Sequence, residues 1–193
     1  MNEPHEPAEP ASAAPSGATP LPADRQRLTM ALETNFALVW RSLRRFGVPE
    51  ADVDDAAQHA FMTLSARLTE VTPGAERSFL LGTCQRLAAN HRRKLARSRE
   101  VADEEPDRRL GRGLDPEQAM VEKQRRHKLD EGLAELPLEQ RAVFVLFELE
   151  GFGLREIAES LDIPLGTVTS RLRRAREKFE AWAASQAPHR EMP

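Results

Sequence analysis

Apolar residues recur at intervals of three and four along most of the chain, and this spacing constrains the fold more than any other feature. In an α-helix the spacing places apolar side chains on one face, where they can pack against a neighbouring element. Hardly any segment alternates apolar and polar residues as a half-buried strand does. Ala, Leu, Arg and Glu dominate the composition, and all four favour helices. The sequence therefore predicts an all-α fold.

Breaks in the periodicity locate the ends of the helices. Gly47-Val48-Pro49 and Pro73-Gly74 are turn sequences, and Asp115-Pro116 begins a capping box that Gln118 completes. Either Asp52 or Asp54 is expected to cap the second helix. Helices are predicted from Leu28 to near Gly47, from Asp52 or Asp54 to Leu68, from about Phe79 to Arg97, from Asp115 onward, and over 138–149, 154–161 and 165–182.

The periodic segments form two groups, which predict two small helical domains joined by a flexible linker. Residues 1–24 hold six prolines and are too poor in apolar side chains to offset their ordering entropy, so a disordered tail is expected. The linker, 99–114, is charged and interrupted by Pro and Gly. The expected divisions are a tail at 1–24, a first domain at 25–98, the linker, a second domain at 115–183 and a second tail at 184–193.

Charge and cysteine content exclude several classes of protein. Residues 25–99 carry thirteen bases and seven acids, whereas 100–136 carry seven bases and eleven acids, so the formal net charge of −3 hides a basic segment. Cys84 is the single cysteine, no apolar run is long enough to span a membrane, and no secretory signal begins the chain. A cytoplasmic protein without membrane insertion is therefore expected. The five histidines are scattered, so neither a metal site, a cofactor nor an enzymatic activity is predicted.

Two short helices near the C-terminus have the pattern of a helix-turn-helix. LREIAESL places Leu154, Ile157 and Leu161 on one face, and Asp162-Ile163-Pro164 then turns the chain. Many such motifs have Gly where Asp162 stands, but Asp tolerates the left-handed conformation better than most residues. The helix that follows is expected to pack inward through Leu165, Val168, Leu172, Ala175 and Phe179.

The outward face of this last helix is the first candidate for nucleic-acid contact. Hydroxyls near its N-terminus and arginines behind them suit phosphate contact and guanine recognition in a major groove. A basic helical face also occurs simply as a solvated surface, and only the preceding turn and helix favour DNA binding. The candidate residues are Thr167, Thr169, Ser170, Arg171, Arg173 and Arg174.

The segment from Asp115 to Trp182 resembles the C-terminal promoter-binding domain of bacterial RNA polymerase sigma factors. The resemblance is carried by LPLEQR, by ELEG before the first motif helix, and by IPLGTVTSRLRRAR. It is closest to the two-domain extracytoplasmic-function (ECF) group of the sigma-70 family. The resemblance implies that the last helix reads the minus-thirty-five promoter element.

The first domain has two segments that are similar to the same family. DVDDAAQHAFMTLSARL, residues 52–68, resembles the helix that binds the clamp helices of the largest polymerase subunit. The three acids between Asp52 and Asp55 could also serve only to cap a helix. The resemblance assigns polymerase contact to Asp54, Asp55, Gln58 and Phe61.

The second segment, SFLLGTCQRLAANHRRKLARSR, resembles the family's helix for the minus-ten promoter element. Six Lys or Arg and no acid lie between Arg86 and Arg99, the electrostatic pattern of a nucleic-acid contact, although a solvated face has the same pattern. Phe79-Leu80-Leu81 stands where family members commonly have an aromatic pair, and the loop 69–77 should form the pocket for an extruded base. The DNA candidates are Arg86, Asn90, His91, Arg93, Lys94 and Arg97.

The resemblance implies a sigma factor whose partners are core RNA polymerase, promoter DNA and an anti-sigma factor. Two rival functions remain open at the level of sequence. A stand-alone helix-turn-helix regulator would explain 150–182 but not 52–99, and a sigma mimic that titrates an anti-sigma factor would not need both basic helices. The sequence identifies neither the promoter consensus nor the inducing signal.

Overall fold

The computed structural model describes residues 22–98 and 116–186, and all regular structure within them is helical. We call residues 22–98 the first module and residues 116–186 the second module. The all-α prediction is confirmed. In chain order the elements are α1 (Pro22–Arg45), α2 (Glu50–Ala66), α3 (Glu76–Ser98), α4 (Pro116–Ala134), α5 (Leu138–Phe144), a π-helical turn (Val145–Leu149), α6 (Leu154–Leu161) and α7 (Leu165–Ser185).

The first module is a three-helix unit in which α1, α2 and α3 all contact one another. The predicted apolar stripes form its core, and Leu43, Leu64 and Leu80 have no exposed surface. Gly47 ends α1 with a φ of +96°, and the Val48 N–H donates to the Leu43 carbonyl at 3.1 Å. This arrangement satisfies a carbonyl at the end of α1 and turns the chain back into α2.

Three helix starts differ from the sequence expectation. Helix α3 begins at Glu76 and not near Phe79, so the last two residues of the expected loop 69–77 are helical. Helix α1 begins at Pro22, so 22–24 are helical and do not belong to a tail. Helix α2 begins at Glu50 after Pro49, which makes no side-chain capping bond, so the prediction that Asp52 or Asp54 caps the helix is wrong. Val53, in the first turn of this helix, is completely buried. The linker and the capping box predicted at Asp115 lie outside the described residues, apart from the helical start at Pro116.

The second module arranges α4 to α7 around a core that includes Leu146, Ile157 and Val168. The helix predicted over 138–149 is continuous but changes to a π-helical turn at Val145. Gly132 of α4 lies directly against α7, because a Cβ at this position would be 2.5 Å from the Trp182 ring. A glycine therefore permits close contact between the first and last helices of the module.

The two modules pack against each other, which the sequence did not predict. Their buried side chains form one hydrophobic cluster, and α3 contacts both α5 and α6. Across the described ranges 22–98 and 116–186, no helix combines the length and the apolarity that crossing a membrane requires.

Cys84 gives the first testable prediction. Its thiol is buried in the first module, and burial raises the pKa of Cys84 to about 12. An unfolded chain releases this proton near the ordinary thiol pKa of about 9, whereas the folded chain retains it. Between these values the unfolded state therefore binds fewer protons, and the free energy of unfolding should fall by up to about 1.4 kcal/mol per pH unit.

Urea unfolding at several pH values from 8 to 10.5 will measure this dependence. Cys84→Ala is the control, because it removes the titrating group and should flatten this part of the curve. Identical pH dependences for the two proteins would contradict the prediction.

Candidate nucleic-acid interface

The helix-turn-helix has the geometry that its sequence predicts at the turn. Asp162 ends α6 with φ and ψ both at 52°, the left-handed conformation expected for this position. The Ile163 N–H then donates to the Ala158 carbonyl at 3.0 Å, and α7 begins at Leu165 after the extended Pro164. Ile157 and Val168 are completely buried. The turn therefore fixes α7 relative to α6 through local bonds and a shared core.

The inward face of α7 agrees with the prediction at most positions. Val168, Leu172 and Ala175 are buried, and the half-buried Phe179 ring lies 4.9 Å from that of Phe144. Leu165 was expected to be buried and is 43% exposed, since as the first residue of α7 it precedes the part of the helix that reaches the core.

The outward face of α7 contains side chains that differ in how available they are to a ligand. Thr169 and Ser170 donate their hydroxyl protons to the carbonyls of Leu165 and Thr167, at 3.1 and 3.0 Å. Arg173 pairs with Glu177 on the same helix.

Among the described residues, neither Arg171 nor Arg174 forms an ion pair. Arg174 is exposed and Arg171 is half-buried, as is Thr167 in the first turn. These two arginines are therefore the most available cations among the six predicted residues of α7.

A second basic surface runs along one side of α3. Five exposed residues share one face of the helix, because positions three, four and seven apart lie close together around an α-helix. They are Arg86, Asn90, the adjacent Arg93 and Lys94, and Arg97. The Arg93 guanidinium donates to the Asn90 side-chain oxygen at 2.6 Å, and this bond orients the amide.

The sixth residue predicted on this surface, His91, differs from the others. It is half-buried, and its Nδ1 lies 3.7 Å from the Asp52 carboxylate of α2. His91 therefore faces the acidic start of α2 and lies at the edge of the basic surface.

The acidic surface of α2 adjoins an apolar patch that the sequence analysis missed. Asp54, Asp55 and Gln58 are exposed, and the Trp40 indole N–H donates to the Asp54 carboxylate at 2.9 Å. Phe61 is only 6% exposed and stacks on Phe36, with ring centroids 6.3 Å apart.

Phe36 and Met62 supply the exposed apolar area at this surface, at 48% and 61% exposure. Phe36 belongs to the apolar stripe of α1, so its spacing predicted a core position. The sequence contains no signal that would have distinguished this residue from the buried members of the same stripe.

A groove of about 510 Å³ lies between the N-terminal half of α1 and the loop that follows α2. Met30, Asn35, Pro73 and Gly74 line it. The Arg27 guanidinium holds the loop in place, because it pairs with Glu76 and donates to the Leu68 carbonyl at 3.0 Å. The loop 69–77, which was predicted to form a base pocket, therefore borders an open concave surface.

Comparisons with known proteins find relatives that align with up to about three quarters of the chain. The family model for sigma-70 region 4 matches residues 126–179. The ECF RNA polymerase sigma factor SigE of Mycolicibacterium smegmatis is 29% identical over 150 residues, which are 77% of this chain and 58% of that relative's length. The RNA polymerase sigma factor CnrH of Cupriavidus metallidurans is 30% identical over 153 residues, 73% of this chain and 78% of the relative.

Two solved structures share the fold. CnrH in complex with the cytosolic domain of CnrY matches with a TM-score of 0.63 at 22% identity, over 86% of this chain and 99% of that one. The sigma factor RpoE in complex with the anti-sigma factor NepR from Bartonella quintana matches with a TM-score of 0.61 at 17% identity, over 86% of this chain and 100% of that one.

Proposed function

The chain belongs to the extracytoplasmic-function sigma factors of bacterial RNA polymerase, and we propose that it directs this polymerase to specific promoters. The observation that carries the proposal is the presence of two exposed basic helical faces, on α3 and α7, in different modules of one chain. A protein that binds DNA through a single module would need only one basic helical face. Two modules on one tether also raise the effective concentration of the second site once the first is engaged.

Helix α7 is proposed to enter the major groove of the minus-thirty-five element. Arg171 and Arg174 supply cations without a partner on the described chain, and bidentate pairing of arginine with guanine is the commonest specific base contact. Thr167, Thr169 and Ser170 in the first two turns are proposed to contact the flanking phosphates, where the dipole of the helix also favours negative charge. Thr169 and Ser170 would first have to release the backbone carbonyls to which their hydroxyls donate. Arg173, paired with Glu177, would first have to release that partner.

Helix α3 is proposed to bind the minus-ten element. Arg86, Arg93, Lys94 and Arg97 lie along one face of this helix. Each DNA phosphate that they neutralise should make the affinity for DNA fall more steeply as the salt concentration rises. The Asn90 amide can hydrogen-bond a base edge. The groove between α1 and the 69–77 loop is the candidate site for an extruded base, because the exposed Met30 offers apolar area there.

The surface formed by Asp54, Asp55, Gln58, Phe36 and Met62 is proposed to dock on core RNA polymerase. An apolar centre with charged residues beside it is a common arrangement in protein interfaces. Phe61 is then a supporting residue beneath Phe36. Trp40 would fix the Asp54 carboxylate before binding, which reduces the entropy lost on docking.

An anti-sigma factor is the proposed regulatory partner. The solved RpoE of similar fold is bound to the anti-sigma factor NepR, and CnrH is bound to the cytosolic domain of CnrY. We place this chain in the cytoplasm with its polymerase and expect no enzymatic activity of its own.

Co-purification with core RNA polymerase, followed by run-off transcription, tests the proposal directly. Binding with promoter-dependent transcripts supports it. Duplex binding without polymerase would instead indicate a stand-alone helix-turn-helix regulator, and polymerase or anti-sigma binding without transcripts would indicate a sigma mimic. Sequencing the transcripts made by reconstituted holoenzyme will give the promoter consensus.

Asp54→Asn together with Asp55→Asn should weaken the binding of core polymerase by about 1.5–3 kcal/mol, because the change removes charge-assisted contacts. Asn retains the oxygen that accepts from Trp40 and hardly changes the volume of the side chain. Affinity for core polymerase is the measurement, and Glu139→Gln, which neutralises an exposed acid in the second module, is the control. Unchanged affinity of the double variant would exclude this surface.

A further inference from the structure

The arginine-rich part of α7, residues 171–180, has two sides that differ in charge. Residues three, four and seven positions apart share one side of an α-helix. One side, which we call the open flank, has three cations and no acid: Arg171, Arg174 and Lys178. The other side, which we call the paired flank, has two cations and two acids: Arg173, Arg176, Glu177 and Glu180.

Both arginines of the paired flank have a carboxylate partner. Arg173 pairs with Glu177 one turn further along α7. The Arg176 Nε donates at 2.6 Å to the carboxylate of Glu148, which lies in the π-helical turn before α6. Glu180 adds an exposed carboxylate to the same side. With Glu148 included, two cations stand against three carboxylates, so the formal charge of the paired flank is −1.

The pair between Arg176 and Glu148 is the better fixed of the two. The Arg176 guanidinium also lies over the Phe147 ring, 5.2 Å from its centroid, so two neighbouring residues of the π-helical turn hold it. The first two residues of that turn are completely buried, which fixes the backbone on which they stand. The pair between Arg173 and Glu177 joins two exposed side chains of one helix, and such pairs contribute little. Glu148 is therefore the residue that most restricts the paired flank.

The cations of the open flank are not restricted in this way. Within residues 22–98 and 116–186, no ion pair involves Arg171, Arg174 or Lys178. Lys178 is exposed and follows Arg174 by one helical turn, on the same side of α7. The open flank therefore presents a formal charge of +3, and its third cation is one that the sequence analysis did not select.

This difference in charge decides how α7 meets DNA. A helix with its side chains is about 10–12 Å across, and the major groove is about 12 Å wide. The two flanks of a helix in the groove therefore face the phosphates of opposite walls. Phosphates attract the cations of the open flank and repel the net negative charge of the paired flank.

We propose that α7 takes its cationic contacts with DNA from the open flank, with Lys178 as a third contact, and that Glu148 holds Arg176 away from the phosphates. The proposal rests on the function proposed above for α7. Lys178 contacts a phosphate, which positions the helix without reading sequence. Glu148 does not touch DNA; it is a positioning residue that limits the affinity of α7 for DNA of any sequence.

Salt titrations of the full chain test the role of Lys178, with a minus-thirty-five duplex and a scrambled duplex of equal length as probes. Lys178→Gln should reduce the slope of log affinity against log salt concentration by about 0.9, the value for one phosphate contact on B-DNA. At 0.1 M salt this slope corresponds to a roughly eightfold weaker complex, and the loss should be equal for both duplexes. Lys178→Arg, which keeps the charge, should bind as the wild type does.

Glu148→Gln should have the opposite effect in the same titrations. It releases Arg176, so the salt slope should steepen by about 0.9 and both duplexes should bind up to about eightfold more tightly at 0.1 M salt. Arg176→Gln alone should keep the wild-type slope. The double variant Glu148→Gln/Arg176→Gln should lose the gain, which distinguishes a released arginine from the simple removal of a negative charge. Circular dichroism will verify that each variant is folded.

A wild-type salt slope for Lys178→Gln or for Glu148→Gln would overturn the inference, as would a gain in the double variant equal to that of Glu148→Gln. If Arg171→Ala and Arg174→Ala weaken the complex in the same assay, the proposed function stands and the one-sided contact alone is rejected. If those two variants also bind as the wild type does, α7 does not bind the duplex, and the proposed role of this helix fails together with the inference.

Discussion

Ile157→Ala should lower the free energy of unfolding of the second module by about 2–5 kcal/mol, because it removes three carbons from a completely buried side chain. Ile157 is in α6, the first helix of the helix-turn-helix, and α6 packs against both α3 and α7. The loss is comparable to the whole stability of many small domains. Binding to a minus-thirty-five duplex should therefore disappear at temperatures where the wild-type protein still binds.

Urea unfolding and duplex titrations on the same samples will measure this effect. Ile157→Val provides a graded control, with an expected loss of about 0.5–1.5 kcal/mol and nearly normal DNA binding at low temperature. If Ile157→Ala unfolds at the wild-type urea concentration, the assignment of this residue to the core of the DNA-binding unit is incorrect.

Arg171→Ala and Arg174→Ala should each weaken the minus-thirty-five complex by about 1–3 kcal/mol if the side chain contacts a base edge. Both arginines lack an ion-pair partner within the described residues, so binding DNA does not require them to leave one. A contact to phosphate would behave differently. It would weaken binding to all sequences about equally and reduce the salt slope by about one.

Titrations of consensus and scrambled duplexes at several salt concentrations separate these cases. Arg176→Ala is the matched control on α7, because Arg176 pairs with Glu148 at 2.6 Å and lies over the Phe147 ring. It should have a smaller effect than either of the other two substitutions. Wild-type affinity in both Arg171→Ala and Arg174→Ala would refute the proposed reading face.

Local patterns predicted much of the fold and part of the site. The stripe through Val168, Leu172 and Ala175 and the left-handed Asp162 follow from neighbours within a few residues, where sequence spacing and backbone preference act directly. Helix α2 begins at Glu50 after Pro49, earlier than the capping preference of Asp52 or Asp54 predicts.

Exposure was harder to predict than helicity. Phe36 and Leu165 both lie on apolar stripes, yet each is more than 40% exposed because no other described element covers it. Whether a helix face is covered depends on the placement of other helices, which spacing along one helix does not contain.

The amino-acid sequence by itself determined the helical class, the helix-turn-helix and the two basic helices, since these depend on residues close together along the chain. Only the tertiary structure decided that the modules close on each other, with Gly82 against Ser160, Arg141 against Phe46 and Glu150 between two arginines. Such contacts form between surfaces whose residues are about a hundred positions apart in some pairs. They depend on the shape and charge of two folded units, so no local pattern in either unit specifies them.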